Sequence, residues 1–112
     1  MRYLMMMVFL AACAHQASAP KSAADARPKL PRAEAKALVQ AELATPTVDP
    51  AVLAAGEIGY RAHCSHCHDL EAPSAYGRGD WEDILPEMVR ESRVDAAEAR
   101  AISAWVLAGA RE

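Results

Sequence analysis

The sequence predicts an all-α domain in its C-terminal part, and three observations support this. Apolar residues between Trp81 and Val89 recur at spacings of three and four, as on one face of a helix. Signals for both ends of a helix bracket residues 95–109. No segment shows the polar and apolar alternation of a strand. With 112 residues, the chain has room for one small domain, which we place at residues 51–112.

Three helices are expected in this domain. The first runs from Ala51 to about His63, with Val52, Ile58 and Ala62 among its apolar positions.

The second predicted helix begins after Gly79, with Asp80 as its N-cap and Asp83 three residues later. Pro86 lies inside the apolar pattern, so we expect it to kink or split the helix, because proline lacks the amide donor and crowds the preceding turn. The apolar face of this helix comprises Trp81, Ile84, Leu85, Met88 and Val89.

The third predicted helix has the clearest caps. Asp95 and Glu98 form a capping-box pattern, and Gly109 suits the helix exit. Its inner face is expected to carry Ile102, Trp105 and Val106.

The N-terminus has the features of an export signal, which we place at residues 1–12. Arg2 precedes an apolar run at 3–12 that is too short to span a bilayer, since a spanning helix needs roughly 20 residues. The run ends in Leu-Ala-Ala-Cys and resembles the lipobox of bacterial lipoproteins. That resemblance implies cleavage before Cys13, acylation of Cys13 and, with Ala14 next, transfer to the outer membrane. The alternative is a simple signal peptide that is cut after Ala14.

Residues 13–50 are expected to form a flexible tether after the lipidated N-terminus. Five prolines interrupt this segment, and as a coil it would span on the order of 30–35 Å. Residues 31–44 are rich in helix formers and can form a helix within the tether, but Leu38, Val39 and Leu43 give them only a narrow apolar stripe.

Cys64-Ser65-His66-Cys67-His68 has the C-x-x-C-H pattern of covalent haem attachment. Two thiols three positions apart can add to the two vinyl groups of one haem, and His68 can then bind the iron as proximal ligand. We expect a backbone acceptor between Leu70 and Pro73 for the other ring nitrogen of His68.

A zinc site, a redox thiol pair and a chance match are the alternatives to haem c for this motif. A structural zinc site needs a second pair of ligands, and residues 51–112 contain no Cys or His outside 63–68. A thioredoxin-like redox pair needs a βαβ context, and no strands are predicted. The export signal argues against a chance match, so haem c is the prediction.

Residues 51–111 resemble a compact class I-type cytochrome c. Gly56 and Tyr60 stand four apart ahead of the haem motif, and Trp105 matches the aromatic of the last helix. The resemblance implies that Gly56 lets two helices cross closely while Tyr60 and Trp105 fill the crossing. A narrower resemblance is to small bacterial cytochromes in which a methionine is the distal haem ligand; the matching residues here are Asp69, Leu70, Pro73, Tyr76, Trp81 and Met88.

Elimination also points to Met88 as the distal iron ligand. The other four methionines lie in the signal segment, and residues 51–112 contain no lysine. His63 and His66 are too near the attachment loop to reach the opposite face of the ring, and His15 lies in the tether. The alternative is that Met88 packs in the core, which would leave an open iron with Tyr76 nearby.

These features predict an electron carrier rather than an enzyme. His/Met ligation fills both axial positions and favours electron transfer. Redox proteins are the expected donor and acceptor, and the membrane is reached through the lipid on Cys13 at the periplasmic side of the outer membrane. The alternatives are a haem-based gas sensor and an accessory subunit of an oxidoreductase.

Charge adds a weaker indication about partners. Residues 51–112 carry six arginines, no lysine and eleven acidic residues, a balance of −5. This acidity either serves solubility or steers the domain towards a basic patch on a redox partner. The whole chain has a formal charge of −3, which does not favour nucleic acid as a partner.

Overall fold

The computed structural model describes residues 27–112 and contains four α-helices in that range. They are α1 (Arg32–Leu43), α2 (Pro50–His63), α3 (Arg78–Glu91) and α4 (Ala96–Gly109), with short 3₁₀ turns at Cys64–His66 and Pro73–Ala75. The described chain has no strand, and its one isolated bridge joins Gly77 to Arg111. The all-α prediction is confirmed, with three helices in residues 51–112 as expected and a fourth in the predicted tether.

Helix α1 departs from the flexible tether expected over residues 13–50. It packs against both α3 and α4, and it buries Ala35 and Val39 completely. Its Glu42 is also buried and accepts a hydrogen bond from Arg100 Nε of α4 at 3.0 Å. A narrow apolar stripe suffices here because two neighbouring helices cover it, so at least residues 32–43 belong to the folded domain.

Helices α2 and α4 cross in close contact at Gly56. A Cβ on Gly56 would overlap the Ala101 carbonyl oxygen and lie 2.8 Å from Trp105 Cβ. Next to this point the Tyr60 and Trp105 rings pack with their centroids 5.2 Å apart and their planes tilted by 44°. The expected glycine crossing with an aromatic pair beside it is therefore confirmed.

Helix α3 begins earlier than predicted and continues through Pro86. Its N-cap is Gly77, and Asp80, expected to be the N-cap itself, instead accepts a hydrogen bond from the Gly77 amide at 3.1 Å. Of the kink or split expected at Pro86, the split does not occur: Leu85 and Val89 are fully buried on either side of Pro86, so core packing holds both halves in one helix.

Helix α4 begins with the predicted capping box. The Glu98 amide donates to Asp95 Oδ1 at 2.8 Å, and the Asp95 amide donates to Glu98 Oε2 at 3.0 Å, which satisfies donors at the helix start. The helix ends at Gly109, where a Cβ would approach Pro73 Cβ to 2.9 Å.

The guanidinium of Arg78 joins the ends of three helices. From the start of α3 it donates to the Leu107 carbonyl of α4 at 2.9 Å and to the Leu43 carbonyl of α1 at 3.3 Å. These carbonyls belong to the last turns of their helices, where backbone acceptors lack intrahelical partners. No helix within residues 27–112 has the length and apolar character needed to cross a membrane.

Candidate functional site

The Cys64–His68 motif lies where α2 gives way to a 3₁₀ turn. Cys64 is buried, with 4% of its surface exposed, whereas Cys67 is exposed. Both are free thiols and are not joined to each other. The turn therefore presents one inward and one outward sulfur that a covalent ligand could take up.

Cys64 is connected to α3 through Ser92. The Cys64 Sγ lies 3.8 Å from Ser92 Oγ, and the Ser92 hydroxyl donates to the Met88 carbonyl at 2.7 Å. Burial raises the pKa of the Cys64 thiol, an effect that the contact with Ser92 partly offsets and the nearby Cys67 reinforces. A short polar relay thus joins the first cysteine of the motif to the backbone of Met88.

His68 is exposed and fixed by its own neighbour in sequence. Its Nδ1 lies 2.6 Å from the Asp69 carbonyl oxygen. With Nδ1 as donor in this contact, Nε2 keeps its lone pair for a metal ion. The acceptor, the Asp69 carbonyl, comes one residue before the range 70–73 expected from the sequence.

Two carbonyls in the expected range already accept other hydrogen bonds. The Tyr60 hydroxyl donates to the Glu71 carbonyl at 2.7 Å, and Trp81 Nε1 donates to the Pro73 carbonyl at 2.8 Å. These bonds anchor the loop after His68 to α2 and α3. Burial, with smaller contributions from the charges of Cys64 and Glu71, raises the pKa of Tyr60.

The apolar face of α3 divides into two halves. Trp81, Leu85 and Val89 are fully buried in the core. Ile84 and Met88 are only half-buried and instead line two cavities beside the motif. Since apolar side chains gain stability from burial, this half of the face has room for a further apolar partner.

The two cavities have volumes of about 410 and 330 Å³ and share His68, Ile84 and Met88 in their walls. The larger one brings together all four residues predicted to bind haem. Its other walls are His63, Glu87, Glu91 and Ser92. The smaller cavity is lined in addition by Tyr60, Asp69, Glu71, Tyr76 and Trp81.

The donor set suits haem c. Thiols that can form thioethers, an imidazole with one free nitrogen and a thioether sulfur all line one largely apolar space. The described residues contain no grouping of three His, Cys, Asp or Glu side chains that would hold a bare metal ion. A haem iron does not require such a grouping, because the porphyrin supplies four of its ligands.

Several residues at this site were not found from the sequence. Glu87 and Glu91 stand one position before and three after Met88, so helical spacing could have placed them at the cavity edge. No local sequence pattern indicates Ser92, because its contact with Cys64 joins residues that are 28 positions apart. His66 is exposed and lines neither cavity. Cys13, predicted to carry the lipid, lies outside the described residues.

The chain was compared with known proteins at three levels. No protein-family model matches it, no curated protein matches its sequence and no solved structure matches its fold.

Proposed function

We propose that this protein is an exported monohaem c-type cytochrome that transfers single electrons. The observation that carries the proposal is that Cys64, Cys67, His68 and Met88 line one cavity of about 410 Å³, although Met88 is twenty residues from the motif. A chance C-x-x-C-H match would not require a thioether sulfur to lie beside it.

Each of these residues has a specific role in the proposal. Cys64 and Cys67 hold the haem through thioether bonds, and His68 provides the proximal ligand through Nε2. Met88 provides the distal ligand, and Ile84 supplies an apolar wall. When bound, the haem would supply a one-electron change at iron, and the surrounding residues would exclude water and hold the imidazole and the thioether sulfur in place.

The remaining parts of the proposal rest on the sequence. The chain is exported, and Cys13 anchors it by lipid on the periplasmic side of the outer membrane. Its partners are a redox protein that donates and another that accepts an electron, and no enzymatic step is assigned to it. Asp69 and Glu71 at the edge of the smaller cavity fit a partner with a basic surface.

Expression of the full chain in a host with haem-attachment machinery tests covalent binding. The protein should retain haem after denaturation, and Cys64→Ala combined with Cys67→Ala should lose it. Ser65→Ala, in the same turn, is the matched control and should keep the haem. Wild-type protein that loses its haem on denaturation would contradict the proposal.

Absorption spectra of the holoprotein test the distal ligand. We expect a low-spin spectrum with the weak far-red band of sulfur bound to iron(III), and little response when carbon monoxide is added to the reduced form. Met88→Leu keeps the side-chain volume but removes the sulfur, so the band should disappear and carbon monoxide should bind at once.

Ile84→Val is the control for the Met88 variant, because Ile84 lines the same cavities and has no donor atom. The Ile84→Val variant should keep the far-red band of sulfur bound to iron(III). If wild type itself is high-spin and binds carbon monoxide immediately, the iron is open, and a gas sensor or accessory subunit replaces the electron carrier.

A further inference from the structure

The segment before α1 runs across α3 and α4 and contacts both. Arg27 forms an ion pair with Glu98 at 2.9 Å, and its carbonyl accepts from the Arg93 side chain at 2.6 Å. Lys29 pairs with Glu91 at 2.6 Å. We call residues 27–43, which comprise this segment and α1, the N-terminal strap.

The strap contacts the part of α3 that carries Met88. Arg32 pairs with Glu87 at 3.3 Å, so the two cavity-lining glutamates that bracket Met88 both have partners in the strap. Further along the strap, Gln40 donates to Glu82 near the start of the same helix. These polar contacts run along α3 from Glu82 to Glu91.

Burial contributes more than these exposed pairs to holding the strap. Ala35 and Val39 are completely buried in the same core cluster as Leu85 and Val89 of α3. Exposed ion pairs contribute at most about 1 kcal/mol each, whereas burying a valine side chain contributes about 1.5–3 kcal/mol. The strap therefore supports α3 from the side of Leu85 and Val89, while Met88 faces the cavity.

We propose that the N-terminal strap is a positioning element that fixes α3 and thereby sets how long Met88 stays bound to the haem iron. This inference rests on the proposed function. An iron–sulfur bond to methionine is weak enough to open when the helix that carries the sulfur moves. Whatever loosens the strap from α3 therefore opens the distal position of the iron.

The strap also neutralises charge at the cavity. Glu87 and Glu91 also share Arg90, with which they pair at 3.0 and 2.8 Å, so without the strap these three side chains leave one negative charge at the cavity. Negative charge there would stabilise the oxidised state of the iron. The pairing with Lys29 and Arg32 reduces that effect. Loss of the two cations should consequently lower the reduction potential.

The test uses the full-length holoprotein with a buried substitution in the strap. In the reduced protein at saturating carbon monoxide, the binding rate reports how fast Met88 leaves the iron. Val39→Ala should raise that rate by about tenfold, which corresponds to the loss of about 1.4 kcal/mol of support. Hydrogen exchange of the α3 amides should accelerate in the same variant.

Ile102→Val is the matched control, because it also removes buried apolar volume but at the contact between α2 and α4, where its side chain lies beside Gly59. It should leave the carbon monoxide rate unchanged within about twofold, and the free energies of unfolding of both variants, measured by urea denaturation, show how much general stability each has lost. Equal rates in the two variants would overturn the inference and assign the effect to general stability.

A second variant keeps the core intact. Lys29→Ala combined with Arg32→Ala should raise the carbon monoxide rate and lower the reduction potential, whereas Arg61→Ala, which removes an exposed pair within α2, should do neither. An unchanged rate and potential in the double variant, together with an unchanged rate in Val39→Ala, would overturn the inference. Wild type without the sulfur–iron band would refute the proposed function as well, so the two failures are distinguishable.

Discussion

Different interactions hold the crossing of α2 and α4 and the docking of α1 on α3. At the crossing, Gly56 brings two backbones into contact and the Tyr60 and Trp105 rings fill the adjacent space. At the docking surface, a narrow buried stripe is flanked by exposed ion pairs such as Lys29–Glu91. The first contact tolerates no added atom, whereas the second can lose individual contacts and persist.

The comparison shows how one small domain can combine a rigid part and an adjustable part. Close backbone packing fixes the helix that leads into Cys64, so the turn at Cys64–His66 has one position. Ion pairs in water are weak and sensitive to salt, so the support of the Met88 helix is open to adjustment.

Gly56→Ala should have the largest effect. The new methyl group would overlap the Ala101 carbonyl, which is backbone and cannot rotate away, so α2 and α4 must separate. We expect a loss of about 3 kcal/mol in the free energy of unfolding, measured by urea denaturation. Gly79→Ala is the control: apart from its own turn of helix, nothing lies within 4 Å of its Cβ position, and alanine should stabilise α3 by about 0.5–1 kcal/mol. Equal stabilities for the two variants would show that the crossing of α2 and α4 is not rigid.

Arg78→Ala tests the link between the crossing of α2 and α4 and the docking of α1 on α3. Its guanidinium donates to carbonyls at the ends of α1 and α4, and charged hydrogen bonds of this kind contribute about 1.5–3 kcal/mol in total when partly buried. We expect a loss in that range by urea denaturation. Arg61→Ala removes an exposed pair with Glu57 and should cost less than about 1 kcal/mol. A loss no greater than that of Arg61→Ala would show that Arg78 does not connect the helices.

Tyr60→Phe should have an intermediate effect with a distinct dependence on pH. Removal of the hydroxyl loses the bond to the Glu71 carbonyl, at about 1 kcal/mol. Burial raises the pKa of Tyr60, so the folded state holds the phenolic proton more tightly than the unfolded state. This contribution is complete below about pH 10 and is lost as the pH rises through the folded pKa.

Urea midpoints at neutral and alkaline pH measure this effect. Wild type should lose stability above about pH 10, and Tyr60→Phe should lose less over the same range. Tyr76→Phe is the control, since Tyr76 packs edge-on against Trp81 through its ring. An identical alkaline loss in wild type and Tyr60→Phe would contradict the assignment to Tyr60.

Lys29→Ala should change stability least. The hydrogen bond from Lys29 is the main reason that the pKa of Glu91 is lowered, so the contribution of this pair is present above the ordinary glutamate pKa and is lost as the pH falls through the folded value. We expect a shift in the urea midpoint smaller than that of Tyr60→Phe, confined to low salt and neutral pH. A shift that survives high salt would show that this contact is not a simple surface pair.

Local patterns were sufficient to predict much of the domain. The capping box of Asp95 and Glu98 and the apolar spacing around Trp81 depend on residues close together in sequence, and both features are present in the structure. The contact between Gly56 and Trp105 is long-range, and the family resemblance supplied it. The helix is not split at Pro86, because core packing on either side outweighs the local preference of proline.

The sequence by itself determined the all-helical class and the C-x-x-C-H motif, and it left Met88 as the one methionine beyond the predicted signal segment. Only the tertiary structure decided that α1 belongs to the domain, that Met88 lies beside Cys64 and that Lys29 and Arg32 reach its helix. The physical reason is the range of the interactions. Caps and helical periodicity act within a few residues, whereas the burial of a narrow stripe depends on neighbours that the chain brings together only when it folds.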